Sequence, residues 1–318
     1  MASVSFHDQL ARLTGILGPR DSPLRTACRR LAMRAACARH GARLSFAKDC
    51  IYVSKGNRVI RIAMQHFPFA LDMSRSFDLY FGQMVPTGTG QLIVDYSRPR
   101  LHRYAGSGLE FELSSFAEEA AAIESYFRWY RPKPGDTVFD VGAYCGVSSY
   151  HFSQMVGSLG KVYAFEPDPL NFSLLQRNIA RHGLTNVVAL QIAISASSGF
   201  ADFFSEGTLG STLAAHSNRI YSGRTTQVRT MTFEQACMTH GLPAFAKIDI
   251  EGAEVAMLAA AADFLKAHGI NFTLDTNHIV AGKLSNRAVE ILLAECGYEV
   301  ESSDKFGFMT TWARPTRP

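Results

Sequence analysis

The chain lacks any run of about eighteen or more apolar, uncharged residues, so no segment is expected to cross a bilayer. The alanine-rich run at 256–262 is too short and reads as a buried helix. The six cysteines (Cys28, Cys37, Cys50, Cys145, Cys237, Cys296) form no Cys-x-x-Cys pair, and no secretory signal precedes them. That pattern argues against a disulfide framework and points to free thiols in a reducing, cytoplasmic setting. The net charge is only +4, too little to argue for nucleic acid, and basic and aromatic residues do not interleave as on an RNA-binding sheet. No nucleic-acid partner is expected, and no signal sets an oligomeric state.

Acids are scarce at the N-terminus. Residues 1–43 carry Arg12, Arg20, Arg25, Arg29, Arg30, Arg34, Arg39 and Arg43 against Asp8 and Asp21, and Leu24, Cys28, Leu31 and Ala35 recur at helical spacing. A basic amphipathic helix can meet an anionic partner or membrane surface, or act as a targeting peptide. The preferred reading is a solvated helix lying on the main domain.

What is abundant is core material: 318 residues, 47% hydrophobic and 19% charged, enough for one large core and a smaller one. The chain divides into a basic helical segment (1–43), a small β-rich region (44–111) and a main domain (112–318). In the β-rich region strands are expected at 50–54 and 58–63, joined as a hairpin by Lys55-Gly56-Asn57, and at 91–96 and 101–104. Phe67, Phe69, Phe77, Tyr80 and Phe81 lack clear periodicity, which fits a loop or short helices, either packed inside or covering a substrate. Ser115-Phe116-Ala117-Glu118 matches a capping box. It predicts a helix with Phe116, Ala120, Ile123, Phe127 and Tyr130 in one stripe, stopped by Pro132 and Pro134.

Beyond this point strands and helices alternate. Strands are expected at 137–142, 161–166, 187–195, 199–204, 226–230, 244–250 and 270–275, and helices at 146–156, 169–182, 233–240, 253–268 and 285–296. A loop holding Gly207 and Gly210 interrupts them, and strands at 299–303 and 308–312 close the chain. The alternation predicts a mostly parallel sheet with helices on both faces. The closing pair would be antiparallel about a tight turn at 304–307.

One strand, Val138-Phe139-Asp140-Val141, breaks into a turn with Gly142 and Gly146, and the next ends on Glu166. A dinucleotide site carries Gly-x-Gly-x-x-Gly; here Ala143-Tyr144-Cys145 separates the glycines and the middle one is missing, leaving a pyrophosphate less room. Asp140 could instead bind a cationic amino group, which S-adenosylmethionine has and a dinucleotide does not. Glu166 could accept hydrogen bonds from both hydroxyls of a ribose. The bland alternatives are a simple strand-to-helix turn and a surface carboxylate beside the helix start at Pro167.

Five segments strengthen the first reading: Phe139-Asp140-Val141-Gly142-Ala143, Ala164-Phe165-Glu166-Pro167-Asp168-Pro169-x-Asn171-Phe172, Asn178, Gly183-Leu184-x-Asn186-Val187 and Lys247-Ile248-Asp249-Ile250-Glu251-Gly252-Ala253-Glu254. Together, over residues 112–303, they resemble the FkbM family of S-adenosylmethionine-dependent methyltransferases. The resemblance implies a Rossmann-like α/β class I methyltransferase sheet in the order 3-2-1-4-5-7-6, with a smaller N-terminal α+β addition. It also implies methyl transfer to a hydroxyl of a carbohydrate or secondary metabolite, that is, a small-molecule or glycan acceptor. Carried over by motif, the cofactor residues are Asp140, Gly142, Ala143, Tyr144, Gly146, Glu166, Pro167, Asp168, Ile194 and Asp249. Gly142 and Gly146 would line the methionine part, Asp140 its amino group, and Glu166 the ribose.

The acceptor side follows from strand ends. Asp249 and the segment Asp275-Thr276-Asn277-His278 end at the same carboxyl edge, where ligands of open parallel sheets gather. Asp249 or His278 could act as a base on an acceptor hydroxyl, with Glu251 and Asp275 contacting the substrate. Glu254 reads as a helix cap. Asp249, Asp275 and His278 could alternatively hold a divalent cation, but their spacing is no recognised signature and no metal is assigned. The chain departs from the family pattern at Tyr144, where an asparagine is common, at Ala196, often an aspartate, and at the Glu-x-His that usually ends the fifth strand. Alternative functions are a nicotinamide-dependent oxidoreductase and a noncatalytic binding protein.

Overall fold

Residues 22–118, 120–205, 211–213, 224–305 and 309–316 are described by the computed structural model. The chain divides into two compact units, Met1–Ala117 and Glu118–Pro318. The segments 1–43 and 44–111, read separately above, thus fall in one unit.

In the first unit, helix α1 (Pro23–Ala38) starts where the Ser22 hydroxyl accepts the Arg25 N–H. The expected apolar stripe is not the buried one: Leu24 and Leu31 are 62% and 67% exposed, and Met33, Ala36 and Cys37 are buried. Arg30 and Arg34 lie over the Phe46 ring at 4.8 and 5.1 Å, and the Cys37 thiol donates to the Ala70 carbonyl, so the helix is held from the opposite side. It packs on strand β1 (Arg43–Phe46), within its own unit. Strands β2 (Cys50–Lys55) and β3 (Arg58–Ala63) form the expected hairpin. Short helices α2 (Ala70–Arg75) and α3 (Phe77–Gly82) precede β4 (Leu92–Tyr96), which pairs parallel to β3. Strands β5 (Arg100–Arg103) and β6 (Glu110–Leu113) make a second hairpin. Phe116, expected on a helix, instead packs among His66, Phe69, Tyr80 and Tyr96 of this unit.

The second unit opens with helix α4 (Ala120–Ser125), later and shorter than the capping box implied. The side chain that should close that box is engaged elsewhere: Glu118 accepts the Tyr126 hydroxyl at 3.1 Å. The far end stops early because carbonyls a longer helix would use are taken: Trp312 Nε1 donates to Ser125 and the Thr273 hydroxyl to Tyr126.

Then follow β7 (Thr137–Val141), α5 (Val147–Val156), β8 (Lys161–Phe165), α6 (Pro169–Arg181) and β9 (Val187–Leu190). The strand expected at 187–195 is divided. After Leu190 the chain leaves the main sheet, and β10 (Ala193–Ser195) joins β11 (Gly199–Ser205), β12 (Thr212–Leu213) and β13 (Arg224–Thr232) in a separate four-stranded sheet. Next come α7 (Phe233–His240), β14 (Phe245–Ile248), α8 (Glu254–Ala260), α9 (Ala262–Ala267) and β15 (Asn271–Asp275), the predicted 253–268 helix being broken at Ala261. A small pair, β16 (Ile279–Val280) and β17 (Lys283–Leu284), leads to α10 (Asn286–Glu295), β18 (Tyr298–Ser303) and β19 (Thr310–Pro315). The Gly207/Gly210 loop lies outside the described residues, as does part of the turn at 304–307.

The main sheet runs β18-β19-β15-β14-β7-β8-β9. Numbered along the chain and read from the β9 edge, this is 3-2-1-4-5-7-6, the expected order. Only β19 runs against its neighbours β15 and β18; the other pairs are parallel. Central strands are buried on both faces, as parallel strands must be: Phe139 packs in one apolar cluster with Phe165, Ile248 and Phe233, and Val138 in another with Val162, Phe152 and Phe245. This rigid layer brings the ends of β7, β8, β14 and β15 together. No described helix is long and apolar enough to cross a membrane, and all six cysteines are free.

Candidate active site

The turn after β7 is shaped first by the chain itself. Gly142 has φ +78°, and a Cβ there would lie 1.8 Å from the Asp249 carbonyl oxygen, so only glycine lets β7 and β14 end side by side. Gly146, at φ +89°, would meet the Leu175 side chain at 2.5 Å, so this glycine serves the packing of α5 on α6. Tyr144 also takes a left-handed conformation, φ +50°, unusual for a bulky residue and strained by about 1–2 kcal/mol. Its backbone N–H is thereby aimed at Glu166 Oε2, 2.8 Å away.

Glu166 is 5% exposed and accepts a second backbone N–H, from Asp168, on Oε1 at 2.9 Å. Burial, then Asp168, push its carboxyl up to about 8, against the two backbone donors and Lys247. A carboxyl whose pKa rises on folding binds more protons in the folded state between about 4.5 and 8, so its contribution to stability is lost as pH rises through that window. We therefore expect the unfolding free energy of the wild type, relative to Glu166→Gln, to fall between pH 5 and pH 8, with a slope of at most about 1.4 kcal/mol per pH unit. A pH-independent difference would remove Glu166 as the titrating group.

Asp168 is fully buried and its acceptors are in use: Oδ1 caps α6 through Leu170 and Asn171, and Oδ2 takes the hydroxyls of Ser205 and Ser211. It ties the second sheet to the helix rather than facing a ligand. Asp140 is likewise fully buried, with the Ser148 and Ser149 hydroxyls on Oδ2 and Lys247 Nζ 3.8 Å from Oδ1. The cation beside Asp140 is thus the chain's own lysine, not an open position for a ligand amine.

Lys247 donates to the Gly142 carbonyl at 2.7 Å and lies 3.6 Å from Asp249 Oδ2. Burial opposes its charge, but Asp249, Asp140 and Glu118 outweigh it and hold its pKa above the usual lysine value. Glu118 is buried nearby, pushed up to about 7 chiefly by burial and drawn down by Lys247. Lys247 and Glu118 were not foreseen as site residues. A lysine inside the apolar strand Phe245-Ala246-Lys247-Ile248 was nonetheless a legible sign of a buried charge needing partners.

Just past the C-terminal end of β14, Glu254 opens α8 but makes no helix cap, contrary to expectation; its Oε1 instead accepts the N–H groups of Ile250 and Gly252 in the preceding turn. The same oxygen lies 3.1 Å from His278 Nδ1. His278 Nε2 faces Glu251 Oε2 at 3.6 Å and Asp249 Oδ1 at 3.9 Å. Burial would lower the histidine pKa, but Glu254 and Glu251 outweigh it and raise it well above the usual value. The carboxylates of Asp249, Glu251 and Glu254 thus surround the imidazole predicted as a base. Asp275, pushed up to about 7 by burial and then by Asp249, accepts both the backbone and side-chain N–H of Asn277.

Of the predicted cofactor residues, Gly142, Tyr144, Glu166, Pro167, Ile194 and Asp249 line one cleft. Asp140, Ala143, Gly146 and Asp168 stand behind its wall. The opposite wall was not foreseen: Ile192 and Ala193, with Phe203, Ser211 and Leu213, close a largely apolar slot beside Glu166.

A seven-stranded sheet in this order, with a glycine turn after its first strand and an acid ending its second, defines a class I methyltransferase, the class that uses S-adenosylmethionine. The family model described as the methyltransferase FkbM domain matches residues 140–300. The chain belongs to that family and is an S-adenosylmethionine-dependent methyltransferase, which sets aside the nicotinamide reading. Similar solved structures include methyltransferase FkbM from Methylobacillus flagellatus, 11% identical with a TM-score of 0.44, covering 91% of this chain and 60% of that one. The chain therefore spans 60% of that relative's length. Others are a SAM-dependent methyltransferase from Aquifex aeolicus (15% identity, TM-score 0.38, covering 62% of this chain and 93% of that one) and Aeropyrum pernix fibrillarin with natively bound S-adenosyl-L-methionine (13%, 0.38, 85% and 97%). No curated protein matches the chain in sequence.

Proposed function

We propose that the protein is an O-methyltransferase acting on a hydroxyl of a carbohydrate or secondary metabolite, in the cytoplasm. The observation that carries this reading is Asp249, which lines the cofactor cleft and faces His278, at the edge where Glu251 and Asp275 also end. S-adenosylmethionine supplies an electrophilic methyl group, whose bond to sulfur breaks with the electron pair left on sulfur as a bond to the acceptor oxygen forms.

Glu166 has used one lone pair of each oxygen on backbone N–H groups and keeps another on each for the two ribose hydroxyls. Pro167, Ile194 and Phe203 offer apolar contact to the adenine, and Gly142 and Tyr144 border the methionine part. Asp249 accepts the acceptor's hydroxyl proton; burial raises its pKa and so improves it as a base, while Lys247 opposes that shift. Glu251 and Asp275 accept hydrogen bonds from neighbouring hydroxyls of a polyol.

The test is a cell-extract screen with isotopically labelled cofactor, followed by mass identification of the product. We expect label on an ether oxygen, with transfer reduced about 100-fold or more in Asp249→Ala. Label on nitrogen or carbon, or wild-type transfer by Asp249→Ala, would overturn the reading.

A further inference from the structure

Asp249, Glu251 and His278 converge from two strand ends, and we propose that they bind one divalent first-row transition cation, such as Mn2+, that holds the acceptor oxygen. The site rests on the acceptor reading given above and deepens it.

The ligand atoms of the three side chains all lie within 4.8 Å of one another. His278 Nε2 is 3.6 Å from Glu251 Oε2 and 3.9 Å from Asp249 Oδ1, too far for hydrogen bonds. Donor atoms about 2.0–2.2 Å from a shared ion stand roughly 3.0 Å apart at right angles and roughly 3.5 Å apart at tetrahedral angles, so a small inward movement closes the site.

A second observation concerns the ring itself. His278 is 4% exposed, and its Nδ1 is 3.1 Å from Glu254 Oε1, an oxygen fixed in turn by the Ile250 and Gly252 N–H groups. This buried Nδ1 is close to the carboxylate without a hydrogen bond to it; a cation on Nε2 would leave the ring proton on Nδ1, facing Glu254, the carboxylate–histidine pairing that orients metal-binding imidazoles. Here Nε2 is directed at the Asp249 and Glu251 oxygens. Asp249 turns its other oxygen to Lys247, 3.6 Å away, so one carboxylate joins the cofactor turn to the cation site.

Two carboxylates and one imidazole suit Mn2+, Fe2+ or Zn2+ better than Mg2+, which prefers oxygen alone. Three protein ligands leave positions open for an acceptor oxygen, and a cation there lowers the pKa of a hydroxyl.

Titration calorimetry and Mn2+ electron paramagnetic resonance on the full chain, without cofactor or acceptor, test the site. We expect one Mn2+ per chain, binding weakened about 10-fold or more in Glu251→Gln and in His278→Gln, and no change in Glu299→Gln, at a surface pair with Arg314. Circular dichroism confirms that each variant is folded; if His278→Gln is not, Glu251→Gln alone decides. Absence of Mn2+ and Zn2+ binding by the wild type at millimolar metal, or equal binding by folded Glu251→Gln, would overturn the site. Failure of methyl transfer with Mn2+ binding intact would instead count against the O-methyltransferase reading and leave the cation site standing.

Discussion

Replacing Glu166 with alanine is expected to weaken binding of S-adenosylmethionine and S-adenosylhomocysteine by about 100-fold or more. Above pH 8, where the Glu166 carboxyl is ionised, hydrogen bonds to this charged acceptor contribute about 1.5–3 kcal/mol each. Two ribose hydroxyls on one carboxylate therefore amount to about 3–6 kcal/mol, the lower end of which is already some two orders of magnitude. A further loss is structural. The Tyr144 N–H bonds to Glu166 Oε2 from a left-handed backbone, and without that acceptor a strained conformation loses one of its supports. Glu166→Gln retains an acceptor oxygen and should lose less, about 10-fold. Calorimetric titration with S-adenosylhomocysteine measures both variants; unchanged affinity in Glu166→Ala would take the residue out of the cofactor site.

The second large effect is expected from Lys247→Met, which should destabilise the protein by about 3–5 kcal/mol. Asp140 is fully buried, and Lys247 is the cation beside it as well as beside Asp249. Removing one partner of a buried ion pair leaves the other uncompensated in a medium that solvates it poorly. The lost hydrogen bond to the Gly142 carbonyl adds to the cost at the turn itself. For a unit of this size the melting temperature should fall by about 10 °C. Asp140→Asn added to Lys247→Met removes the stranded charge and should restore part of the loss. A single variant that melts with the wild type would show that the lysine does not neutralise Asp140.

The legible parts of the chain were those where one residue type meets a backbone or burial requirement unaided. The alternation of strands and helices after 137 and the positions of Gly142 and Glu166 at strand ends could be read directly, and the sheet order followed from the family resemblance. The reading failed where a long-range contact outweighed a local signal. Ser115 to Glu118 satisfies the capping-box pattern, yet Glu118 takes the Tyr126 hydroxyl and the helix begins later. Leu24 and Leu31 keep helical spacing, yet cation–π contacts of Arg30 and Arg34 with Phe46 hold the helix by its other side.

Within the site the same division holds. The sequence by itself determined the alternation of strands and helices and which strand ends bear carboxylates, because strand periodicity and glycine turns are local properties; the class of fold and the cofactor came with the family resemblance of its motifs. Only the tertiary structure decided what each acid faces. Asp140 meets Lys247 and two serines, Asp168 is consumed as a cap and a tie, and His278 is enclosed by Glu251 and Glu254. Charge state and ligand capacity depend on neighbours a few ångströms away that are far apart in sequence, and burial makes those neighbours count more than solvent.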